Sequence, residues 1–148
     1  MERLSAYQSY ALAALRIITA LLFIEHGTMK LFAFPAAQMD GPLPPLLLVA
    51  ALLEVVGGLL VLIGLFTRPV AFILSGQMAV AYFMAHQPRG LLPIVNGGEL
   101  AAIYSFVFLY FAVAGAGPWS LDERGGARAD RATQRKRGEL QRDVEHQL

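Results

Sequence analysis

Cysteine is absent from the chain. Its absence excludes disulfides, thiolate metal sites, CxxC redox pairs and cysteine nucleophiles, and leaves the redox compartment unreadable from thiol usage. Charge is scarce too. Asp, Glu, Lys and Arg make up 16% of 148 residues, against 56% hydrophobic residues and a mean hydropathy of +0.52. A soluble domain of this length needs a more polar surface. What charge exists is gathered at one end: seven of the twelve Lys and Arg and six of the eleven Asp and Glu follow Trp119. The net charge of +1 and the lack of any basic–aromatic pattern give no footing for nucleic acid. The composition is that of an integral membrane protein with a polar appendix.

Four apolar segments are present, at about 7–34, 46–66, 69–86 and 98–114. A membrane helix needs roughly 20 residues. Inside lipid the backbone must satisfy its own hydrogen bonds, so each segment reads as a helix. Breaks separate them: "FPAAQMDGPLPP" (34–45), "GLFTRP" (64–69), "HQPRGLLPIVNGG" (86–98) and "GAGPWSLDERGG" (115–126). Pro69 suits the first turn of the third helix. Arg16 interrupts the first segment and no small-x-small cleavage site follows, so it reads as a retained helix, not a signal peptide. The expected fold is all-α: a four-transmembrane-helix bundle of antiparallel neighbours over 1–121, followed by a charged, partly disordered tail at 122–148.

Lys and Arg in the loops set the orientation. With four spans, Arg3, Arg68 and the seven basic residues of the tail share one side, and Lys30 and Arg89 the other. Both termini are therefore expected in the cytoplasm. "RATQRKRGELQRDV" (131–144) fits a surface helix against anionic lipid, although a solvated tail accounts for it as well.

This topology brings polar residues to one level. His26 and Lys30 end helix one, Glu54 lies early in helix two, His86 ends helix three, and Asn96 and Glu99 open helix four; Arg16 and Gln77 lie deeper. At about 100° per residue, Arg16, His26 and Lys30 fall within roughly 80° of one another, while Glu25 points away. Met78, Tyr82 and His86 make a stripe on helix three, and Glu99, Ile103, Phe106 and Tyr110 one on helix four. A charge at the bilayer centre costs about 2.5–3.5 kcal/mol on insertion scales, so Glu54 requires a partner such as Lys30 or a histidine.

Each of these residues also has a structural reading. Lys30 and Arg89 fit as snorkelling cations. "NGGE" (96–99) has the spacing of a helix start, with Asn96 as cap and Glu99 reaching back. His86 fits as an interfacial end to helix three, and Glu54 as half of an ion pair locking the bundle. Gly57 and Gly58 suit close helix packing. His26 and His86 lack any metal-site spacing, so no metal is expected. "GGLLVLIG" (57–64) lies inside a membrane helix and is no nucleotide fingerprint.

"HGTMKLF" (26–32), "LLEVVGGLLVLIGLFTRP" (52–69), His86, "NGGEL" (96–100) and "GAGPWSLD" (115–122) together resemble the DoxX family of small bacterial membrane proteins. The resemblance runs in order over residues 10–122 and leaves out the charged tail. On it, the family's His-Gly and Lys correspond to His26, Gly27 and Lys30, its helix-two acid to Glu54, and its Gly-Gly start of helix four to Gly97, Gly98 and Glu99. Ala33 replaces the usual glycine after Lys-Leu-Phe, and "GLLP" (90–93) stands where the family often has Gly-Phe-Phe, weakening any aromatic lid.

The resemblance implies a bacterial cytoplasmic membrane protein of redox character. Members include a subunit of a thiosulfate:quinone oxidoreductase, a component of a complex linked to oxidative stress, and proteins associated with catechol and quinone detoxification. One functional expectation follows: an outer-leaflet pocket for a quinone or small anionic substrate. Lys30, His26 and His86 would hold it, Glu54, Glu99 and His26 would relay protons, and Tyr82 and Tyr110 would flank a ring. With no flavin or metal motif, electrons would come from a redox partner protein or the substrate. The alternative expectation is a non-catalytic subunit or assembly factor whose polar cluster is structural. Alternating-access transport has little room in four helices unless the chain forms a homo-oligomer.

Overall fold

The computed structural model describes residues 2–38 and 41–145, and among them no strand occurs. The main helices are α1 (Gln8–Phe32), α2 (Pro45–Ile63), α3 (Thr67–Arg89), α4 (Glu99–Ala114) and α5 (Leu121–Glu145). Short helical turns lie at Glu2–Ser5 and Pro93–Asn96.

Local chemistry sets the boundaries. Pro45 opens α2, where its missing N–H costs nothing. Gly64 then closes α2 with φ +67, which ends the helix at Ile63 rather than at the expected residue 66. Phe66 takes a left-handed conformation and releases Thr67 into α3, leaving Pro69 inside the first turn. Gly97 (φ +70) and Gly115 (φ +87) bracket α4.

α1, α2 and α3 are each long and apolar enough to cross a membrane, while α4 is a shorter apolar helix of 16 residues. Cross-helix contacts fix their relative directions. The end of α1 meets the middle of α2 through Lys30 and Glu54, and the middle of α3 meets the first half of α2 through Gln77 and Ala50. α3 and α4 are joined at mid-height by a reciprocal pair: the Ser75 hydroxyl donates to the Ser105 carbonyl at 2.8 Å, and Ser105 Oγ to Ser75 O at 3.1 Å. Between them sits the core, built on Phe23, Leu74, Met78, Tyr104, Phe108 and Phe111. Phe23 from α1 packs edge-on against Phe108 (4.7 Å between centroids) and Tyr104 (5.2 Å) of α4, closing the ring of helices.

Glycines bring α1 against α2. A Cβ on Gly27 would lie 3.0 Å from the Ala51 carbonyl oxygen, and one on Gly58 would meet Ile24 at 2.6 Å. No larger residue allows that approach, which carries Lys30 to Glu54. The charged segment expected to be partly disordered is helical from Leu121 to Glu145; residues 146–148 lie outside the described residues.

Candidate functional site

Glu54 sits in an otherwise apolar helix and is 2% exposed. Its partner is Lys30, whose Nζ donates to Oε1 at 2.5 Å and Oε2 at 2.6 Å. Gln77 adds a longer contact, Nε2 to Oε1 at 3.4 Å, and with the same nitrogen donates to the Ala50 carbonyl at 3.1 Å. The pair is thus a forked cation–carboxylate contact with a side-chain amide beside it. Such a contact offsets the heavy desolvation of both charges.

The backbone at Glu54 is unusual. Leu53–Gly57 forms one π-helical turn within α2, and a second, Tyr82–His86, lies near the end of α3. Single π turns widen a helix locally and recur at functional sites. Here both flank the same space. That space is a cavity of about 610 Å³, within the range of small-molecule sites. Its polar lining comes from His26, Lys30, Glu54, Gln77, His86 and Gln38, the last from the α1–α2 connection. The rest is largely apolar: Phe23 from α1, Leu46, Val49 and Leu53 from α2, Ile73, Met78, Val80 and Met84 from α3, Leu100 and Tyr104 from α4. His26 stands half-buried with its ring edge-on to Tyr104, at 6.0 Å between centroids.

His86 reaches the cavity from α3 and is held by the loop that follows. Its Nδ1 lies 3.3 Å from the Asn96 carbonyl oxygen, and its ring stacks on Tyr82 at 6.5 Å. Asn96 organises that loop. It is 3% exposed; its amide donates to Gly90 O at 2.8 Å and Tyr82 Oη at 3.3 Å, and its Oδ1 accepts from Gly98 N–H at 2.7 Å. The expected capping box is therefore replaced by an Asx turn, and α4 begins at Glu99, after Gly98, without a side-chain cap. Tyr82 supports this loop and is outside the cavity lining.

Glu99 and Tyr110 also stand outside the lining, both on the exposed side of α4 with Ile103 and Phe106. The face α4 turns inward holds Ala101, Tyr104, Phe108 and Phe111. Both faces of this helix are apolar, so periodicity alone does not select between them. Glu25 is exposed and lies outside the cavity lining.

At the other end of the bundle, Arg16 is fully buried and clamps three segments. Its Nε donates to Ala116 O at 2.8 Å, one terminal nitrogen to Val61 O and Leu62 O at 2.7 and 2.5 Å, and the other to Trp119 O at 3.1 Å and Pro118 O at 3.4 Å. Val61 and Leu62 lie in the last turn of α2, at its negative end, where carbonyls attract positive charge; the Val61 carbonyl also accepts the Gly64 N–H at 3.1 Å. Arg68 does the same for α4, donating to Val113 O at 2.6 Å. Asp122 complements them from the start of α5, accepting the Phe66 and Thr67 N–H groups at 2.9 Å each, at the positive end of α3. Burial pushes the Asp122 carboxyl up, but the Thr67 and Phe66 amides and the nearby Arg16 charge outweigh it and hold the group below the usual carboxylate range. Sequence reasoning sets Arg16 deeper than the polar level without assigning these partners. Carbonyl groups leave no side-chain signal to find.

Apolar spanning helices, a buried ion pair and a cavity among the helices define a helical-bundle membrane protein. Comparison with known proteins gives the family: the chain matches the DoxX model over residues 11–87 and belongs to the DoxX family. It is 50% identical over 130 residues to an uncharacterised protein of Haemophilus influenzae, covering 84% of this chain and 97% of that one. An inner membrane protein of Escherichia coli, YphA, is 28% identical over 74% of this chain and 86% of its own length. An uncharacterised membrane protein of Mycobacterium tuberculosis is 29% identical over 78% and 81%. No solved structure matches.

Proposed function

We propose that this DoxX family protein crosses the membrane four times with both termini in the cytoplasm, and that its cavity binds a quinone at the level of the outer leaflet. The observation that carries the reading is the Lys30–Glu54 pair closing a predominantly apolar cavity of ligand size. A neutral ring suits apolar walls, and His26 and the pair are placed to hydrogen-bond its oxygens and exchange protons with them. The anionic-substrate version loses ground, because Glu54 already neutralises Lys30 through both oxygens. Electrons would be exchanged with a redox partner protein. The four spans include α4, whose 16 residues give about 24 Å of helix, short of the roughly 30 Å hydrocarbon core and requiring local thinning or its flanking loops.

Calorimetry of the purified protein against a ubiquinone and menaquinone panel tests the ligand. Saturable binding that weakens in Glu54→Gln and His26→Ala is expected; no binding to any member, or unchanged binding by both variants, refutes it. The absence of cysteine makes topology direct to test. Single thiols introduced at Tyr7 and Leu121 should react with an impermeant maleimide from the cytoplasmic side, and one at Leu91 from the opposite side. Labelling of Leu121 and Leu91 positions from one side would exclude a fourth span.

A second reading rests on the closure of the same pair. With both Glu54 oxygens engaged, the pair also serves as a lock in a non-catalytic subunit or assembly factor. Co-purification of a specific membrane partner, with no ligand retained, would favour it.

A further inference from the structure

α2 and α3 are consecutive helices joined by a three-residue turn, yet the stripes they turn toward each other are not packed together. They touch low in the bundle, where a Cβ on Gly57 would lie 2.7 Å from Leu74 Cδ2. One turn further, Gln77 bridges to the Ala50 carbonyl at 3.1 Å. Beyond that bridge the helices part. Leu46 and Val49 of α2 and Val80 and Met84 of α3 line the cavity and yet are 60%, 56%, 54% and 60% exposed. Their spacing, three residues apart on α2 and four on α3, puts each pair on one helix face. Residues that line a cavity while remaining over half exposed mark its opening, and this opening is in the side of the bundle. In a span of this composition the side faces lipid tails.

We propose that the cavity is loaded sideways from the bilayer through this gap, and that its ligand is an amphiphile whose polar head lies by Lys30 and Glu54 while an apolar chain runs out between Val49 and Val80. The inference rests on the cavity being a ligand site and adds the route and the chain. The gap is walled by aliphatic side chains that suit an apolar chain, and its sill is the bridge from Gln77 Nε2 to the Ala50 carbonyl. A ligand arriving from water would instead have to pass Gln38 and the loop that Asn96 pins.

The test uses full-length protein in nanodiscs with two ubiquinone analogues, one with a decyl chain and one chainless. Val49→Trp with Val80→Trp fills the gap without touching the polar residues. Chain-bearing ligand should bind about tenfold more weakly to the filled variant than to wild type, while the chainless ring, which leaves nothing between Val49 and Val80 once bound, should lose much less affinity. A decyl analogue carrying a diazirine on its chain checks the route in wild-type protein, free of any folding defect in the variant. Crosslinks should fall on Leu46, Val49, Val80 or Met84. If the variant binds both analogues like wild type, or crosslinks fall on other helix faces, the lateral route is wrong while the ligand reading stands. If neither analogue binds wild-type protein, both fall.

Discussion

Lys30→Met tests the buried pair most sharply. It removes the cation from a carboxylate that is 2% exposed and leaves Glu54 with the Gln77 contact at 3.4 Å. Breaking a buried pair by deleting one partner costs about 3–5 kcal/mol. Lys30→Met should lie at the top of that range, since the Glu54 side chain is short and its backbone is fixed within α2. Glu54→Gln should lie at the bottom, because the Lys30 side chain is already 12% exposed at a helix end and can extend its ammonium toward headgroups. Replacing both, Lys30→Met with Glu54→Leu, should be close to neutral, as apolar packing takes the place of two desolvated charges. At about 2–4 °C per kcal/mol for a chain of this size, a loss of about 5 kcal/mol in Lys30→Met lowers the Tm by about 10–20 °C. Trp119, the single tryptophan, packs at 5.4 Å from Tyr10 near the Arg16 end, so its fluorescence reports unfolding remote from the substitution. A smaller loss in Lys30→Met than in Glu54→Gln, or a double variant losing the sum of the two, would refute the reasoning.

Three further outcomes are expected. Arg16→Lys retains charge but not the fork that reaches five carbonyls, so it should destabilise the bundle by about 3 kcal/mol or more, read by thermal unfolding in detergent. Gly27→Ala drives a methyl against the Ala51 carbonyl and should cost about 1–3 kcal/mol, with helix disengagement visible as faster proteolysis. Asp122 titrates below its ordinary range when folded, so its contribution is complete above that range and is lost as pH falls through the lowered value. Asp122→Asn should therefore flatten the acid limb of a stability–pH profile while leaving its slope near neutrality unchanged.

The helices were legible because apolar runs and Gly/Pro breaks dictate them, and the need of Glu54 for a cation at its own depth because it is a lone acid in an apolar span; the choice of Lys30 over a histidine is read from the structure. His26 and His86 reach the cavity as helical phase suggests. Glu99 and Tyr110 do not, since α4 offers two apolar faces and the choice between them is made by Phe23 packing into Tyr104 and Phe108. The π turns at Leu53–Gly57 and Tyr82–His86 have no composition signature, because an extra residue in a turn is a property of neighbouring packing. Asn96 reads as a helix cap in sequence; its burial under Gly90 and Tyr82 depends on a loop path that side-chain identity does not encode.

The Arg16 clamp also bears on the order in which the chain is made. Arg16 enters with the first helix, but the carbonyls it needs arrive much later: Val61 and Leu62 with the second, Ala116, Pro118 and Trp119 after the fourth. Until residue 119 is in place, a guanidinium stands in apolar surroundings with donors unfilled. A chain cut short before that point is therefore distinguishable from a longer one by a physical defect near its beginning, so that α1 carries a record of whether α4 and the segment after it have been delivered.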